Sequence, residues 1–233
     1  SSVLFFISTR DDTQERRAVA VDLRAPEYTF GALSRYFTDI AVNEGAGTAY
    51  AVLRTALLPT NVDLHLLGHI IGDELYKEQG IDGITLCTQE FRNACSHSIV
   101  IGALFEFGES MLSKIGDVCR VAPGGSGAYT MCFHGLGHGV LAFTGYDIEK
   151  TIVLCDTLGT EAYRDREAVE CVGGAVMEII SGGGHDRDVW ERQNKKYLHA
   201  ETPRSLCESM TVKFQPVCYI YLTTYLFVLD GDD

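Results

Sequence analysis

The chain repeats a short frame, in which a histidine follows a cysteine by two residues and a second histidine can follow four residues later. The clearest copy is Cys132-Phe-His134-Gly-Leu-Gly-His138. Copies of the frame also begin at Cys95, Cys171 and Cys218, and the upstream segment His65-Leu-Leu-Gly-His69 has the paired histidines without the cysteine. The copies recur at intervals of about 30 to 50 residues, which is typical of helix-pair repeats. We therefore expect one helix of each pair to carry the frame and to face inward.

This repeat predicts an all-α fold, stapled by disulfides. Stacked helix pairs give a solenoid, whereas curled pairs give a small α/α toroid with the frame helices lining its centre. We expect residues 1–27 to form a short irregular extension and residues 28–233 to form a single helical-repeat domain. Within that domain, apolar periodicity predicts one long helix over residues 96–115 and another over 129–144. The glycine-rich segment at 122–127 is interpreted as a loop.

The cysteine content favours an oxidising compartment. The chain has eight cysteines, an even number, and it contains no Cys-x-x-Cys motif. Disulfides are therefore more plausible than a zinc ribbon or a thioredoxin-type site. We predict pairing in sequence order, which joins neighbouring segments of the repeat: Cys87 with Cys95, Cys119 with Cys132, Cys155 with Cys171, and Cys207 with Cys218. An extracytoplasmic location follows from this pairing, in a secreted, periplasmic or membrane-anchored protein.

The charge of the chain restricts its partners. The formal net charge is −13, and nucleic-acid binding needs clustered lysine and arginine instead. An acidic surface favours cations. No stretch of eighteen apolar residues is present, so no segment is expected to cross a membrane by itself. The segment Val3–Ile7 is either the remnant of a removed anchor or signal, or a short packing strand, and anchoring through a segment before residue 1 stays open.

Two histidine pairs point to a metal centre. His65 and His69, and likewise His134 and His138, are four residues apart, which places both rings of a pair on one helix face. His97 occupies the third position of its own copy of the frame. Burying several imidazoles without a shared purpose is costly, and neutral imidazole binds copper, iron and zinc. A toroid would bring these residues together, whereas a straight solenoid would spread them along a groove.

Three carboxylates are candidates for catalytic roles. Asp73 lies one turn after His69 and is either a metal ligand or an acceptor that fixes a ring tautomer. Glu106 and Glu178 are acidic residues in otherwise apolar helices, and each is either a general acid/base or a cap partner. The chain lacks the His-Glu-x-x-His motif of zincin proteases and the Glu-x-x-His pattern of ferritin-like bundles.

One string resembles a known motif. Cys132-Phe-His134-Gly135 resembles the zinc-binding Cys-His-Gly motif of lanthionine cyclases, which are α/α toroids. The resemblance covers these few residues only. Those enzymes use the cysteine as a zinc ligand, whereas Cys132 is predicted here to form a disulfide, so no function is carried over from the resemblance.

Three functions are consistent with this sequence. The first is a metal-dependent enzyme outside the cytoplasm, with redox chemistry ahead of hydrolysis and copper ahead of iron or zinc. The second is a metal carrier or a structural metal module without turnover. The third is a metal-free, disulfide-rich helical repeat that binds another protein.

Overall fold

The computed structural model describes residues 20–182 and 187–231, and these residues form helices without any β-strand. The one extended pairing among them is an isolated bridge between Asp22 and Leu57. The prediction of an all-α fold is therefore confirmed for the described part of the chain. Most of the predicted extension, residues 1–27, lies outside the described residues, and so does the segment Val3–Ile7.

Eleven α-helices are described in these two ranges. They are α1 Phe30–Glu44, α2 Ala46–Thr55, α3 Leu64–Gln79, α4 Ala94–Phe107, α5 Leu112–Arg120, α6 Gly125–Phe143, α7 Ile148–Asp156, α8 Arg166–Ser181, α9 Arg187–Gln193, α10 Ser205–Glu208 and α11 Gln215–Asp230. Short 3₁₀ segments lie at Gly80–Leu86, Glu109–Met111, Glu161–Tyr163 and Asn194–Lys196. The five copies of the frame fall on α3, α4, α6, α8 and α11, which we call the frame helices.

The predicted single helix over residues 96–115 is wrong. Gly108 has a φ of 70°, outside the right-handed helical region, and its N–H closes α4 by donating to the carbonyl of Leu104 at 2.8 Å. Glycine adopts this conformation without a steric penalty, so it ends helices readily. The chain then turns through Glu109–Met111 and starts α5 at Leu112.

The start of α6 also differs from the sequence prediction. The segment 122–127 was interpreted as a loop, but α6 begins at Gly125 and includes the last three of these residues. Gly124, with a φ of 111°, forms the turn that precedes the helix. The hydroxyl of Thr130 donates to the carbonyl of Ser126, so the glycine-rich first turn is tied to the apolar body of the helix.

The frame helices pack against one another in chain order. Helix α4 lies between α3 and α6, and α8 lies between α6 and α11. The helices that alternate with them lie on the outside: α5 packs on α6, α7 on α6 and α8, and α10 on α11. Such a partner helix precedes α6, α8 and α11, whereas only 3₁₀ segments separate α4 from α3. The choice between a toroid and a solenoid stays a prediction.

All four predicted disulfides are confirmed. The bonded pairs are Cys87–Cys95, Cys119–Cys132, Cys155–Cys171 and Cys207–Cys218. In each pair the second cysteine belongs to a frame helix and is fully buried, and the first belongs to the segment that precedes that helix. Four disulfides indicate an oxidising, extracytoplasmic environment. Among the described helices, none is both long and apolar enough to cross a membrane.

Two glycines allow α6 and α8 to approach each other closely. A Cβ atom at Gly137 would overlap the backbone carbonyl of Cys171, and one at Gly174 would overlap the carbonyl of His134. The two contacts are reciprocal, because each helix places a glycine against the backbone of the other. These contacts fix the position of α6 along the length of α8, and thus the position of His134 and His138 relative to Glu178 on α8.

Candidate metal centre

The five predicted histidines come together around His97. The centroid of the His97 ring lies 5.8 Å from those of both His65 and His69, 6.3 Å from that of His134 and 6.0 Å from that of His138. The helix order explains this arrangement, since α4 brings His97 between the pair on α3 and the pair on α6. Each helix contributes its third frame position, and α3 and α6 add the seventh.

The pair on α3 is held by hydrogen bonds on the far side of each ring. The Nδ1 atom of His65 lies 2.6 Å from the carbonyl oxygen of Phe91, and that of His69 lies 3.0 Å from the hydroxyl oxygen of Ser98. The two Nε2 atoms then face each other at 3.2 Å. Because a carbonyl only accepts, the Nδ1 of His65 carries a proton and its Nε2 presents a lone pair.

The hydroxyl of Ser98 decides the protonation of His69. This hydroxyl also lies 2.9 Å from the carbonyl oxygen of His69, and it has one proton to donate. If the proton goes to the carbonyl, His69 donates from Nδ1, and the two Nε2 lone pairs of the histidine pair face each other. A cation between them then satisfies both. If the proton goes to Nδ1, the Nε2–H of His69 donates to His65, and a metal would have to displace that proton.

The spacing of the two Nε2 atoms fits a metal ion. Two ligands at a metal–nitrogen distance of 2.0–2.1 Å that are 3.2 Å apart subtend an angle of about 100° at the metal. This angle is close to the tetrahedral value. The pair therefore already has the bite that a transition metal requires.

The left-handed turn before α4 delivers the carbonyl that orients His65. Phe91, Arg92 and Asn93 have φ values of 56°, 54° and 61°, and three successive non-glycine residues with positive φ are costly. The Cys87–Cys95 disulfide closes the short loop that contains them. Strain of this kind is concentrated at functional sites.

His97 supplies the third nitrogen of this group. Its ring is 2% exposed, and its Nε2 lies 3.1 Å from the carbonyl oxygen of Met131 on α6. The missing side chain of Gly135 makes room for the ring, since a Cβ atom there would overlap it. His65, His69 and His97 each offer one ring nitrogen, and these three atoms all lie within 4.8 Å of one another. Among the described residues, they are the one group of three or more potential ligands with this convergence.

The pair on α6 repeats the geometry of the pair on α3. The Nε2 atoms of His134 and His138 are 3.2 Å apart. On the far side of the rings, the Nδ1 of His138 donates to Glu178 Oε2 at 2.8 Å, and the Nδ1 of His134 lies 3.3 Å from the hydroxyl of Tyr221. Glu178 is 3% exposed and also accepts from the hydroxyl of Tyr146.

Burial keeps several of these rings neutral. Loss of hydration lowers the pKa of His97 well below its ordinary value, and the positive charges that the four neighbouring histidines would carry lower it further. The same two causes lower the pKa of His134 to about 3. Burial also lowers the pKa of His65, although its bond to Phe91 acts in the opposite direction. A neutral imidazole keeps the lone pair that binds a metal.

Burial differs among the five histidines. His97 and His134 are buried, whereas His65, His69 and His138 are partly exposed.

The structure brings one of the three predicted carboxylates to the cluster. Glu178 contacts His138 directly. Asp73 is exposed and does not belong to the converging three-histidine group. Glu106 is exposed, accepts a hydrogen bond from Tyr76, and lies nine residues after His97, or about 14 Å along α4. The proposed roles of Asp73 and Glu106 stay predictions.

The comparisons with known proteins give no family. No protein-family model, curated protein or solved structure matches the chain. The function is therefore inferred from the site itself.

Several contacts of the site were missed at the level of sequence. The contact from Phe91 is made by a backbone carbonyl, which every residue has, so the sequence could not indicate it. Ser98 could have been noticed, since it is a hydroxyl residue next to His97 in an apolar helix. Tyr221 lies in the weakest copy of the frame, where no histidine drew attention to it.

Proposed function

We propose that the protein is an extracytoplasmic metalloprotein, in which His65, His69 and His97 bind a transition metal ion. The observation that carries this proposal is the pair of Nε2 atoms 3.2 Å apart on α3, each with its Nδ1 held from behind. That arrangement presents two nitrogens at the bite of a metal, and His97 is placed to complete the group. Metal-binding histidines usually form a hydrogen bond through the ring nitrogen that does not bind the metal, as both Nδ1 atoms do here.

We further propose that the bound metal serves an enzyme, with redox chemistry ahead of hydrolysis. Copper is the first candidate and iron or zinc the next, because imidazole nitrogen suits all three. The partial exposure of His65 and His69 supports turnover, since a catalytic metal needs a coordination position open to substrate. A carrier shares the same ligands, so the two functions differ in whether that open position is used.

Metal analysis of the purified, disulfide-intact protein tests the proposal. The protein is stripped with a chelator, offered copper(II), zinc(II) and iron(II) separately, desalted, and analysed by mass spectrometry for bound metal. We expect tight binding of at least one of these ions, and His69→Ala should reduce the bound amount sharply. His199→Ala is the matched control, because His199 is an exposed histidine outside the cluster.

Two results would count against this function. If the wild-type chain takes up none of the three metals, the metalloprotein proposal fails and the metal-free interaction repeat takes its place. If metal binds equally well to the His69→Ala and wild-type proteins, the metal is elsewhere. Steady turnover of a reductant by the copper-loaded protein would favour the enzyme over the carrier.

A further inference from the structure

The α6 pair repeats the two-nitrogen geometry of the α3 pair. Its two Nε2 atoms are also 3.2 Å apart, which again gives an angle of about 100° at a metal with bonds of 2.0–2.1 Å. Both pairs occupy the third and seventh positions of the frame, and both are on frame helices in the interior. The repeat has therefore produced the same two-nitrogen bite twice.

The support behind the α6 pair is stronger than that behind the α3 pair. Glu178 accepts from the Nδ1 of His138 at 2.8 Å, an arrangement of carboxylate and histidine that fixes the tautomer and raises the basicity of the opposite nitrogen. Tyr146 donates to the other oxygen of Glu178 at 3.2 Å, which holds the carboxylate in place. Tyr221 lies behind His134 in the same way.

Glu178 would also support a metal on the opposite nitrogen of His138. A metal on the Nε2 of His138 would make its Nδ1–H a stronger donor to the carboxylate. Because Glu178 bonds the side of His138 away from His134, it would support the metal without being its ligand.

The two pairs are also separated by a ring. Helix α4 packs between α3 and α6, and the His97 ring lies about equally far from both pairs. His134 and His138 are not members of the group of three nitrogens that lie within 4.8 Å of one another. One ion cannot be bound closely by all five histidines in this arrangement.

We propose that His134 and His138 form a second metal-binding position, so that the protein holds two metal ions, one on each side of His97. This inference rests on the proposed function, which places the first ion at His65, His69 and His97. The second position would have two protein nitrogens, and its remaining coordination sites would be open to water or substrate. It is thus the position where an external ligand would bind.

Metal stoichiometry tests the second position. The probe is copper(II), with zinc(II) in parallel, added to the chelator-treated full chain and quantified per protein after desalting. We expect two ions in the wild type, one in His138→Ala, one in His69→Ala and none in the double variant. His199→Ala should keep two. Electron paramagnetic resonance should show interacting copper(II) ions in the wild type and an isolated ion in each single variant.

Glu178→Gln provides a test that does not remove a ligand. The loss of the negative charge of Glu178 should weaken the binding of the second ion by about 10–100-fold and leave the binding of the first ion unchanged. Non-reducing peptide mapping and circular dichroism establish that each variant is folded, and if His138→Ala fails this check, Glu178→Gln alone decides between one and two positions.

The outcomes separate the two proposals. A single ion that both His69→Ala and His138→Ala abolish would overturn the second position but keep the metalloprotein function. If the wild type binds a single ion and His138→Ala keeps it, or if His138→Ala binds two ions as the wild type does, the α6 pair is not a ligand set. The absence of any bound metal would overturn both.

Discussion

The metal-free protein should lose stability as the pH falls from 8 to 5, because of His97 and His134. Burial lowers the pKa of both rings, so they stay neutral in the folded state, whereas in the unfolded chain a histidine titrates near 6.5. Below that pH the unfolded state binds more protons than the folded state. Stability contributed by a neutral folded ring is therefore complete above about pH 7 and declines at lower pH.

The magnitude follows from the unfolded-state pKa alone. At pH 5, protonation of a histidine with a pKa of 6.5 stabilises the unfolded state by RT ln(1 + 10^1.5), or about 2 kcal/mol. A ring that stays neutral in the folded state gains nothing there, so the free energy of unfolding falls by this amount. His134, with its pKa of about 3, should lower the free energy of unfolding by about 2 kcal/mol between pH 8 and pH 5, and His97 should add to this loss in the same direction. Because domains are commonly stable by roughly 5–15 kcal/mol, this loss should be easy to measure.

Urea unfolding in the presence of a chelator, at several pH values between 8 and 5, measures this loss. His134→Gln should unfold more readily overall, but its decline with pH should be smaller by about 2 kcal/mol, because one of the two rings is gone. His199→Gln, at an exposed position, is the control for removing any histidine. A stability that is flat over this pH range, or a His134→Gln protein with the wild-type decline, would refute the reasoning.

Two further predictions concern packing and covalent links. Gly135→Ala should lower both thermal stability and metal binding, because the added methyl group would overlap the His97 ring. Gly116→Ala is the control, and it should be neutral or stabilising by up to about 1 kcal/mol, since the nearest atoms to the added methyl group belong to the flexible end of Arg120. Replacing Cys119 and Cys132 by alanine should cost about 3 kcal/mol in chemical unfolding, as expected for a short closed loop, and a cost near zero would contradict the assigned pairing.

The disulfides and the frame helices were predictable because their signals are local. Each cysteine of the frame follows its partner by a short interval, and the histidine spacing marks a helix directly. The helix break at Gly108 was not predictable in the same way. Apolar residues recur before and after it, at Phe107 and then at Met111 and Leu112, so the periodicity continues across a point where the backbone turns.

Helix geometry shows where Asp73 lies relative to the two histidines of α3. His65, His69 and Asp73 are spaced by four residues, yet with 3.6 residues per turn each such step rotates the side chain by about 40°. Asp73 is therefore about 80° around α3 from His65, and it is exposed. His69 is about 40° around α3 from His65, so Asp73 lies at the edge of the face that the two histidines share.

The histidine-free copies of the frame complete the cluster. In α8 the third position is Gly173, and a Cβ atom there would meet the side chains of Val217 and Tyr221 at 2.8 and 3.0 Å. Glycine thus lets α11 approach α8, and this approach brings the hydroxyl of Tyr221 to His134. Seven residues after Cys171, where the same copy starts, α8 provides Glu178 to His138. The frame helices without histidines, α8 and α11, thus supply partners that orient the histidines of α6, so the candidate ligands and their support lie on neighbouring helices.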